Sequence, residues 1–382
     1  MLFRSRRSAK RALLAAALCA TAVGLVPATA QAAGTTNDAP KVMTRNLYLG
    51  ADLSPALGAL GCPDTPCTLA ANQTVWDQVV ATDFPARAKK LAKEIDDDDP
   101  YVVGLQEVAL WRTGPVDFAK NASTVVYDFL PNLLAELSAR GNKYKAIVVQ
   151  QEADIESPAG TPPYFADAAD RRLTMRDVIL VRTDLPKGRV SFSNPQSGNY
   201  ANFISLPIPG GVYGGTIDFK RGWTAVDIKI ANKPAARFVN THLESFSSGI
   251  RQAQAFELVG GFASGPLLTS IPAILVGDLN SDPAIAYGGN PASSVSDGAA
   301  YGITIGAGFV DTGNTLNTFG HDADLLDDPS NVFGERIDHI LTRPGTFGLL
   351  TTKRVGLDPL NRAPSGAGLL WPSDHAGLIA GF

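Results

Sequence analysis

The chain has 382 residues, of which 45% are hydrophobic, so it can bury a sizeable core and a mainly disordered state is excluded. Its 33 basic and 37 acidic residues give a net charge of −4 at pH 7. This balance excludes a polybasic nucleic-acid-binding module. It does not exclude an enzyme that binds phosphate through a metal ion, because the ion dominates the field of its own site.

Residues 1–32 have the pattern of a cleavable export signal. Basic residues precede an apolar run from Ala12 to Val26, and small residues surround Thr29. The run is too short for a membrane span, and no later segment reaches the roughly 18 apolar residues that a span needs. We expect a secreted protein without a transmembrane segment, exported by the Sec or the twin-arginine route. Its mature chain would carry a charge of about −9.

From Lys41 onward, strand patterns alternate with helical patterns, without a repeat or an interdomain linker. This alternation predicts one α/β domain over residues 41–382. The helices are predicted at about 85–95, 125–140 and 248–262, with an acidic break at 96–99. The strands are predicted at about 101–108, 144–149, 177–182, 223–228, 237–240, 273–276, 336–341 and 378–380.

Two segments between these elements have features of their own. Cys62 and Cys67 are the cysteines of the mature chain, and in an exported protein they are predicted to form a disulfide. The segment 194–222 is rich in glycine, proline and aromatic residues. Its aromatics either pack against a strand or form an exposed surface for lipid or a base, and packing is the favoured interpretation. The aromatic residues concerned are Tyr200, Phe203, Tyr213 and Phe219.

Polar side chains follow several predicted strands at the point where each strand ends. Glu107, His242 and Asp278 occupy such positions, and His375 precedes the last strand. Carboxylates, an amide and imidazoles delivered to one edge suit a hard divalent metal that acts on phosphate. Each residue alone has a structural alternative: a salt bridge for Glu107, an Asx turn for the Asp278 segment, or a packed imidazole.

Asp338 and two further histidines have separate predicted roles. Asp338 can orient an imidazole and keep it cationic. His339 points to the opposite strand face from Asp338 and is predicted not to be catalytic. His321 lies near Asp322 and Asp324, where a solvated loop is favoured over an accessory cation site.

Six short motifs, in this order, resemble those of the endonuclease/exonuclease/phosphatase superfamily, which has the deoxyribonuclease-type fold and includes deoxyribonucleases, abasic-site endonucleases, bacterial sphingomyelinases and inositol-phosphate phosphatases. The motifs are Thr44-Arg45-Asn46, Leu105-Gln106-Glu107, Asn240-Thr241-His242-Leu243, Gly277-Asp278-Leu279-Asn280, Arg336-Ile337-Asp338 and Ser373-Asp374-His375. The resemblance extends over residues 42–379. It implies a four-layer α/β sandwich, with two mixed β-sheets packed face to face and helices on the outside.

The resemblance also implies roles for the matching metal-site residues. Glu107 would be the principal Mg²⁺ ligand, with Asn46 and Asp374 close to the ion, and Mn²⁺ or Ca²⁺ are alternative ions. Asp278 would orient or deprotonate the attacking water. The chain departs from the family pattern at Arg45, where an aromatic or aliphatic residue is common.

The other matching residues would act on the phosphate. Asn280 and His242 would stabilise the pentacoordinate phosphorus, and His375 would do so while oriented by Asp338. Leu279 replaces the usual phenylalanine, and this change, like Arg45, is predicted to be a tolerable core-side change. A long insertion over residues 50–85 follows the first motif and is predicted to reshape the rim near the metal.

Together these features predict a metal-dependent phosphoester hydrolase that attacks phosphorus with water, with a phosphodiester preferred to a monoester. Nucleic acid and a phospholipid head group both remain as substrates: the acidic balance does not favour a nuclease, and segment 194–222 could supply an apolar hairpin for a lipase. No protein partner is implied and we expect a monomer. The alternative is a non-catalytic secreted binding protein that retains the fold, but all six motifs are kept.

Overall fold

The computed structural model describes residues 39–382 except 118, 209–214, 344, 346 and 350, so the predicted export signal lies outside the described residues. Residues Ala39–Phe382 belong to one compact unit. The helices are α1 Ser54–Gly58, α2 Thr65–Ala81, α3 Phe84–Asp98, α4 Phe129–Ala139, α5 Ser248–Leu258 and α6 Ala299–Gly306. The strands up to the middle of the chain are β1 Lys41–Asn46, β2 Val102–Gln106, β3 Leu110–Gly114, β4 Thr124–Asp128, β5 Tyr144–Ala159, β6 Ala169–Arg182, β7 Val190–Asn199, β8 Ile204–Pro207 and β9 Thr216–Phe219. The later strands are β10 Gly222–Ile230, β11 Ala235–His242, β12 Ala273–Asp278, β13 Val310–Asp311, β14 Asp338–Thr342, β15 Thr351–Val355, β16 Ala363–Ser365, β17 Gly368–Leu370 and β18 Gly377–Gly381.

Two large mixed sheets form the centre of the protein. In the described residues, the first sheet has eight strands in the order β15-β18-β1-β2-β6-β3-β4, with β5 paired to β6. The second sheet has the order β13-β14-β12-β11-β10-β7. Strands β1 and β2 are parallel, as are β11 and β12, whereas the other pairs are antiparallel. Each sheet therefore contains one parallel pair of strands, β1 and β2 in the first and β11 and β12 in the second, whose carboxyl ends lie side by side.

Three apolar clusters separate four layers. Between the sheets, Val42 and Val102 of the first sheet pack with Phe238 and Ile274 of the second. A second cluster joins the outer face of the first sheet to α2, α3 and α4. A third joins the outer face of the second sheet to α5 and α6. Burial of one face of helices α2 to α6 and of both faces of each sheet explains this layering, and the predicted four-layer α/β sandwich is confirmed.

Helix α3 shows how local sequence sets the element boundaries. The carboxylate of Asp83 accepts a hydrogen bond from the backbone of Ala86, and a proline follows within the first turn. The predicted helix at 85–95 is present, but the break predicted in the acidic run is wrong because the helix continues to Asp98. Lys41 and Lys353 lie 3.7 and 2.7 Å from Asp98, and their charges stabilise the acidic last turn.

The helix predicted from residue 125 begins later. Residues Thr124–Asp128 form β4, and the helix starts at Phe129. The β-branched residues of this segment favour an extended backbone. The side chain of Asp128 then accepts a hydrogen bond from Leu130 N and caps the helix.

The two segments singled out in the sequence have defined structures. Cys62 and Cys67 form a disulfide, as predicted, and Cys67 lies in the first turn of α2 within the insertion. Strands β8 and β9 of segment 194–222 form a hairpin. Tyr200 and Phe219 are buried, which confirms packing at these two positions, whereas Tyr213 lies outside the described residues.

Candidate active site

The predicted site residues converge at one edge of the two sheets. Asn46 ends β1 and Glu107 follows β2, while His242 and Asp278 end the parallel strands β11 and β12. The antiparallel strands β14 and β18 start at the same edge, so they deliver Asp338 and the segment Ser373-Asp374-His375. The fold thus gathers the residues from distant parts of the chain.

Asp278 contacts residues from both sheets. Its Oδ2 accepts a hydrogen bond from Asn46 Nδ2 at 3.1 Å and lies 3.6 Å from His242 Nε2 and 3.7 Å from His375 Nε2. The residue is 2% exposed. Burial raises the pKa of Asp278 to about 7, against the opposing effect of His375. A carboxylate with this pKa is suited to accept a proton from water near neutral pH.

The backbone before Asp278 requires a glycine. Gly277 has a φ of +142°, and a Cβ at this position would lie 1.9 Å from the carbonyl oxygen of Thr241. Any side chain here would push β12 away from β11, and Asp278 away from His242.

His375 and Asp338 form a buried pair. His375 Nδ1 lies 2.8 Å from Asp338 Oδ2, as the sequence interpretation of an orienting carboxylate predicts. Burial alone would lower the pKa of His375, but Asp338 and Asp374 outweigh it and raise the pKa to about 10. The imidazole is therefore cationic at neutral pH and is a donor at Nε2.

The predicted metal ligands lie at the same edge but are spread more widely. Glu107 Oε2 accepts a hydrogen bond from Leu49 N at 2.6 Å, and Asn46 Oδ1 accepts one from Tyr48 N at 2.8 Å. Burial raises the pKa of Asp374 to about 6, His375 opposes this, and the negative charge of Glu107 adds to it. Two carboxylates that repel each other beside an amide oxygen form a hard donor set that fits Mg²⁺. In the part of the chain described, two groups of carboxylates and a histidine could hold an ion, and neither includes Glu107 or Asp374: they are Asp278-Asp338-His375 and Glu152-Asp177-His242.

Asn280 differs from its predicted geometry. The extended conformation assumed for residues 278–280 is wrong, because Asn280 has a φ of +47° and its backbone N–H donates to Asp278 Oδ1 at 2.8 Å. This is the turn given as the structural alternative. Asn280 Nδ2 donates to the Leu243 carbonyl at 2.9 Å, which leaves its second N–H for a phosphate oxygen. The assigned roles of all these residues remain predictions.

A polar contact joins the sheets directly beneath the site. Gln106 of the first sheet donates to Asn240 Oδ1 of the second, and Asn240 Nδ2 donates back to the Leu105 carbonyl at 3.1 Å. A Cβ on Gly104 would lie 2.6 Å from Asn240 Oδ1, so only glycine allows this approach. The two sheets are thereby held at the spacing that places Glu107 and His242 on the same edge.

Several charged residues near His242 were missed in the sequence. Arg221 Nη1 lies 3.0 Å from His242 Nδ1, and Glu152 and Asp177 lie on the adjacent strands β5 and β6. Burial, with Arg221 and His375 nearby, lowers the pKa of His242 well below its ordinary value. Burial raises the pKa of Glu152 to about 8, against the effect of Arg221. The sequence feature that could have identified these residues is a charged side chain between apolar neighbours, because such a side chain is costly to bury without a partner.

Two buried arginines hold the loops that carry the metal-site residues. Arg87 donates to the carbonyl oxygens of Leu47 at 2.7 Å and Pro372 at 2.9 Å, next to Asn46 and Asp374. Arg45, predicted as a tolerable core-side change, is fully buried. It pairs with Glu94 at 3.0 Å and donates to the His375 carbonyl. Arg45 therefore has a specific role in the core, because it joins β1 to the loop that carries His375.

The other two histidines have structural contacts. His339 Nε2 donates to the Ser281 carbonyl at 3.0 Å, which agrees with its predicted position on the face opposite to Asp338. His321 is buried rather than solvated: Nδ1 lies 2.7 Å from Asp327 and the ring stacks on Trp371. The solvated loop predicted for His321 is therefore wrong at the histidine, because an aromatic ring covers it.

These two histidines predict an acid sensitivity of the fold. Burial lowers the pKa of His339 and of His321, so below pH about 6.5 the unfolded chain takes up protons that the folded chain does not. We expect His339 and His321 to contribute a loss of unfolding free energy between pH 7.5 and pH 5.5, of at most about 1.4 kcal/mol per pH unit for each histidine. The raised pKa values of His375 and Asp278 act in the opposite direction, so urea titrations must compare the wild type with a variant at both pH values. His339→Gln, which can still donate to Ser281, should reduce this loss. An equal loss in the variant would show that His339 does not contribute.

A family model described as "Endonuclease/Exonuclease/phosphatase family" matches residues 78–375. A mannosyl-6-phosphatase of Bacteroides thetaiotaomicron is similar in structure, with 18% identity and a TM-score of 0.49, over 89% of this chain and 98% of that chain. An endonuclease/exonuclease/phosphatase family protein of the same organism has 16% identity and a TM-score of 0.46, over 90% and 96%. D. rerio TDP2, solved with a single-strand DNA product, has 14% identity and a TM-score of 0.45, over 90% and 98%.

The search of curated proteins finds no match to this chain. Among the residues that the structure describes, no helix has the length and apolar character needed to cross a membrane.

Proposed function

The chain belongs to the endonuclease/exonuclease/phosphatase family and is by class a phosphoester hydrolase, and on that premise we propose that it is a secreted, Mg²⁺-dependent phosphodiesterase. The observation that carries the proposal is the contact of Asp278 with Asn46, His242 and His375 at one sheet edge. This arrangement places a carboxylate that can accept a proton beside donors for a phosphate.

In the proposed reaction, Asp278 accepts a proton from the water that attacks phosphorus in line with the leaving oxygen. Cationic His375, oriented by Asp338, donates to a phosphate oxygen through Nε2. His242 and Asn280 donate to the same group as negative charge develops on it. A divalent cation held by Glu107, Asp374 and Asn46 would neutralise part of that charge.

An apolar groove favours a phospholipid over nucleic acid as the phosphodiester substrate. The groove has a volume of about 1060 Å³ and is lined in part by Leu53, Trp76, Trp111 and Phe219. Trp111 donates to the Leu49 carbonyl at 2.9 Å, and Leu49 N donates to Glu107, so the groove wall is one residue from the proposed metal ligand. An apolar alcohol part of the substrate fits this surface better than a polyanion does, and the acidic net charge agrees.

The test compares the purified mature protein on sphingomyelin, plasmid DNA and a phosphomonoester, with Mg²⁺ or with EDTA. We expect Mg²⁺-dependent release of phosphocholine that EDTA abolishes. DNA nicking instead would support a phosphodiesterase, but one whose substrate is nucleic acid rather than a phospholipid. Hydrolysis of the monoester alone would contradict the phosphodiester assignment. Silence on all three substrates would favour a binding protein that retains the fold.

Glu107→Gln tests the metal assignment. An amide oxygen binds Mg²⁺ more weakly than a carboxylate, so we expect the Mg²⁺ concentration for half-maximal activity to rise at least roughly 10-fold. The matched control is Glu136→Gln. Glu136 lies on α4, which packs on the face of the first sheet that is turned away from the second sheet. If titration of the rate shows an unchanged Mg²⁺ requirement in Glu107→Gln, Glu107 is not a ligand of the metal ion.

A further inference from the structure

Buried carboxylate oxygens without partners are concentrated around His242. In the described structure, Glu152 Oε2, both carboxylate oxygens of Asp177 and Glu244 Oε2 have no hydrogen-bond partner. Glu152 is 4% exposed, and Asp177 and Glu244 are fully buried. A buried carboxylate oxygen without a partner is costly, so four such oxygens around one residue call for a ligand.

Three of these side chains converge on one point. Glu152 lies on β5, Asp177 on the neighbouring strand β6, and His242 at the end of β11 in the opposite sheet. One potential ligand atom of each lies within 4.8 Å of those of the other two. Since metal–ligand distances for these groups are about 2.0–2.2 Å, a small closing movement of the side chains would bring all three into contact with one ion.

The charge balance of this cluster is negative when its carboxyl groups are ionised, and without a cation burial raises the pKa of Glu152 to about 8 and the pKa of Asp177 well above its ordinary value. Arg221 supplies a positive charge: its Nε lies 3.8 Å from Glu244 Oε2 and its Nη1 lies 3.0 Å from His242 Nδ1. Three carboxylates, Glu152, Asp177 and Glu244, share this one guanidinium. A divalent cation would offset the excess, and Arg221 could turn from the His242 ring to the unpartnered oxygen of Glu244 as the ion binds.

A cavity lies beside Glu152 of the cluster. It has a volume of about 540 Å³, and Glu152 is part of its lining. The carboxylates of Asp154, Glu156 and Asp218 line the same cavity together with Lys220. Asp154 is paired with Arg172, and the remaining two carboxylates exceed the one ammonium, so the cavity attracts a cation.

We propose that Glu152, Asp177 and His242 bind a second divalent cation of the Mn²⁺ type, separate from the ion assigned to Glu107. Two carboxylates and one imidazole suit such an ion better than Mg²⁺ or Ca²⁺, which prefer oxygen ligands alone. A ring nitrogen of His242 that binds the ion leaves the other nitrogen protonated. His242 therefore remains a hydrogen-bond donor for phosphate while the ion fixes its orientation.

The test counts bound Mn²⁺ in the full mature chain by electron paramagnetic resonance of the free ion during titration. We expect two ions per chain in the wild type and one in each of Glu152→Gln and Asp177→Asn. Glu257→Gln is the matched control, because both glutamates are buried and accept a backbone N–H: Glu152 from Gly222 at 2.7 Å, and Glu257 from Ala201 at 3.0 Å. It should keep both ions. Circular dichroism checks that each variant is folded.

The outcomes separate this inference from the proposed function. If the Glu107 site does not bind an ion, the wild type binds one ion per chain. That ion is kept in Glu107→Gln and lost in Glu152→Gln, which supports the second site without the first. Equal stoichiometry in the wild type, Glu152→Gln and Asp177→Asn would overturn the inference, in favour of carboxyls that share a proton. If both variants are unfolded, the anomalous signal of Mn²⁺ in wild-type crystals decides: a peak between Glu152 and Asp177 supports the site, and its absence there overturns it.

Discussion

Asp278→Asn is expected to lower kcat for the phosphodiester substrate by roughly 10²–10⁴-fold, the usual contribution of a general base. The amide cannot accept the proton of the attacking water. It keeps the size of the side chain and an oxygen for the Asn46 Nδ2 contact, which is 3.1 Å in the wild type. Since the raised pKa of Asp278, about 7, comes mainly from burial, the wild-type rate should fall as the pH drops below this value. The assay is a pH profile of kcat for both proteins at saturating Mg²⁺.

A neighbouring aspartate provides the control. Asp282 is also buried, but its carboxylate accepts hydrogen bonds from the backbone of Ala284 at 2.8 Å and Arg336 at 2.9 Å. Asp282→Asn should therefore lower stability and leave kcat of the folded protein close to that of the wild type. An Asp278→Asn variant with wild-type kcat would assign proton acceptance to another group and contradict the proposed mechanism.

Arg87→Ala should have the largest effect on stability, about 3–5 kcal/mol of the free energy of unfolding. Besides Leu47 and Pro372, the guanidinium donates to the carbonyl oxygens of Thr82 at 2.7 Å and Tyr48 at 3.1 Å. The truncation leaves these buried oxygens without a charged donor. It also frees the two loops that flank Asn46 and Asp374, so we expect Mg²⁺ affinity to fall by roughly 10–100-fold.

A second arginine separates the two effects of this change. Arg237 pairs with Asp227 at 2.8 Å and donates to the Pro266 carbonyl at 3.1 Å, near the start of β11 and so at the opposite end of that strand from His242. Arg237→Ala should lower the free energy of unfolding, measured by urea titration, without changing the Mg²⁺ requirement. Mg²⁺ affinity that stays at the wild-type value in Arg87→Ala would show that Arg87 stabilises the fold but does not position the metal-site loops.

The sequence was most informative where acidic, amide or imidazole side chains lie at the ends of predicted strands. Glu107, His242 and Asp278 each follow an apolar run, and the parallel order of the strands brings such ends together. Predictions were weaker where one pattern suits two structures. Residues 125–128 have apolar spacing compatible with a helix, but β-branched side chains and pairing with β3 make them a strand.

The contacts around the predicted residues were not accessible from the sequence. Arg87 is part of an amphipathic helix, where an arginine normally lies on the solvated face. Asp177 precedes an apolar strand and looks like a surface residue at its start, but β6 begins earlier, at Ala169, and the opposite sheet covers this position. Such burial depends on how two sheets pack, which local spacing does not specify.

The pairing of β18 with β1 makes catalytic competence depend on the order of synthesis. Thr44 lies opposite Leu378, so β1 receives this antiparallel partner only when β18 has been made. Asp374 and His375 immediately precede β18, and the buried guanidinium of Arg45 fixes the carbonyl of His375. A nascent chain that has not yet reached β18 lacks these groups in place. Catalytic competence is therefore acquired only once β18 has been synthesised, however much of the domain has already been made.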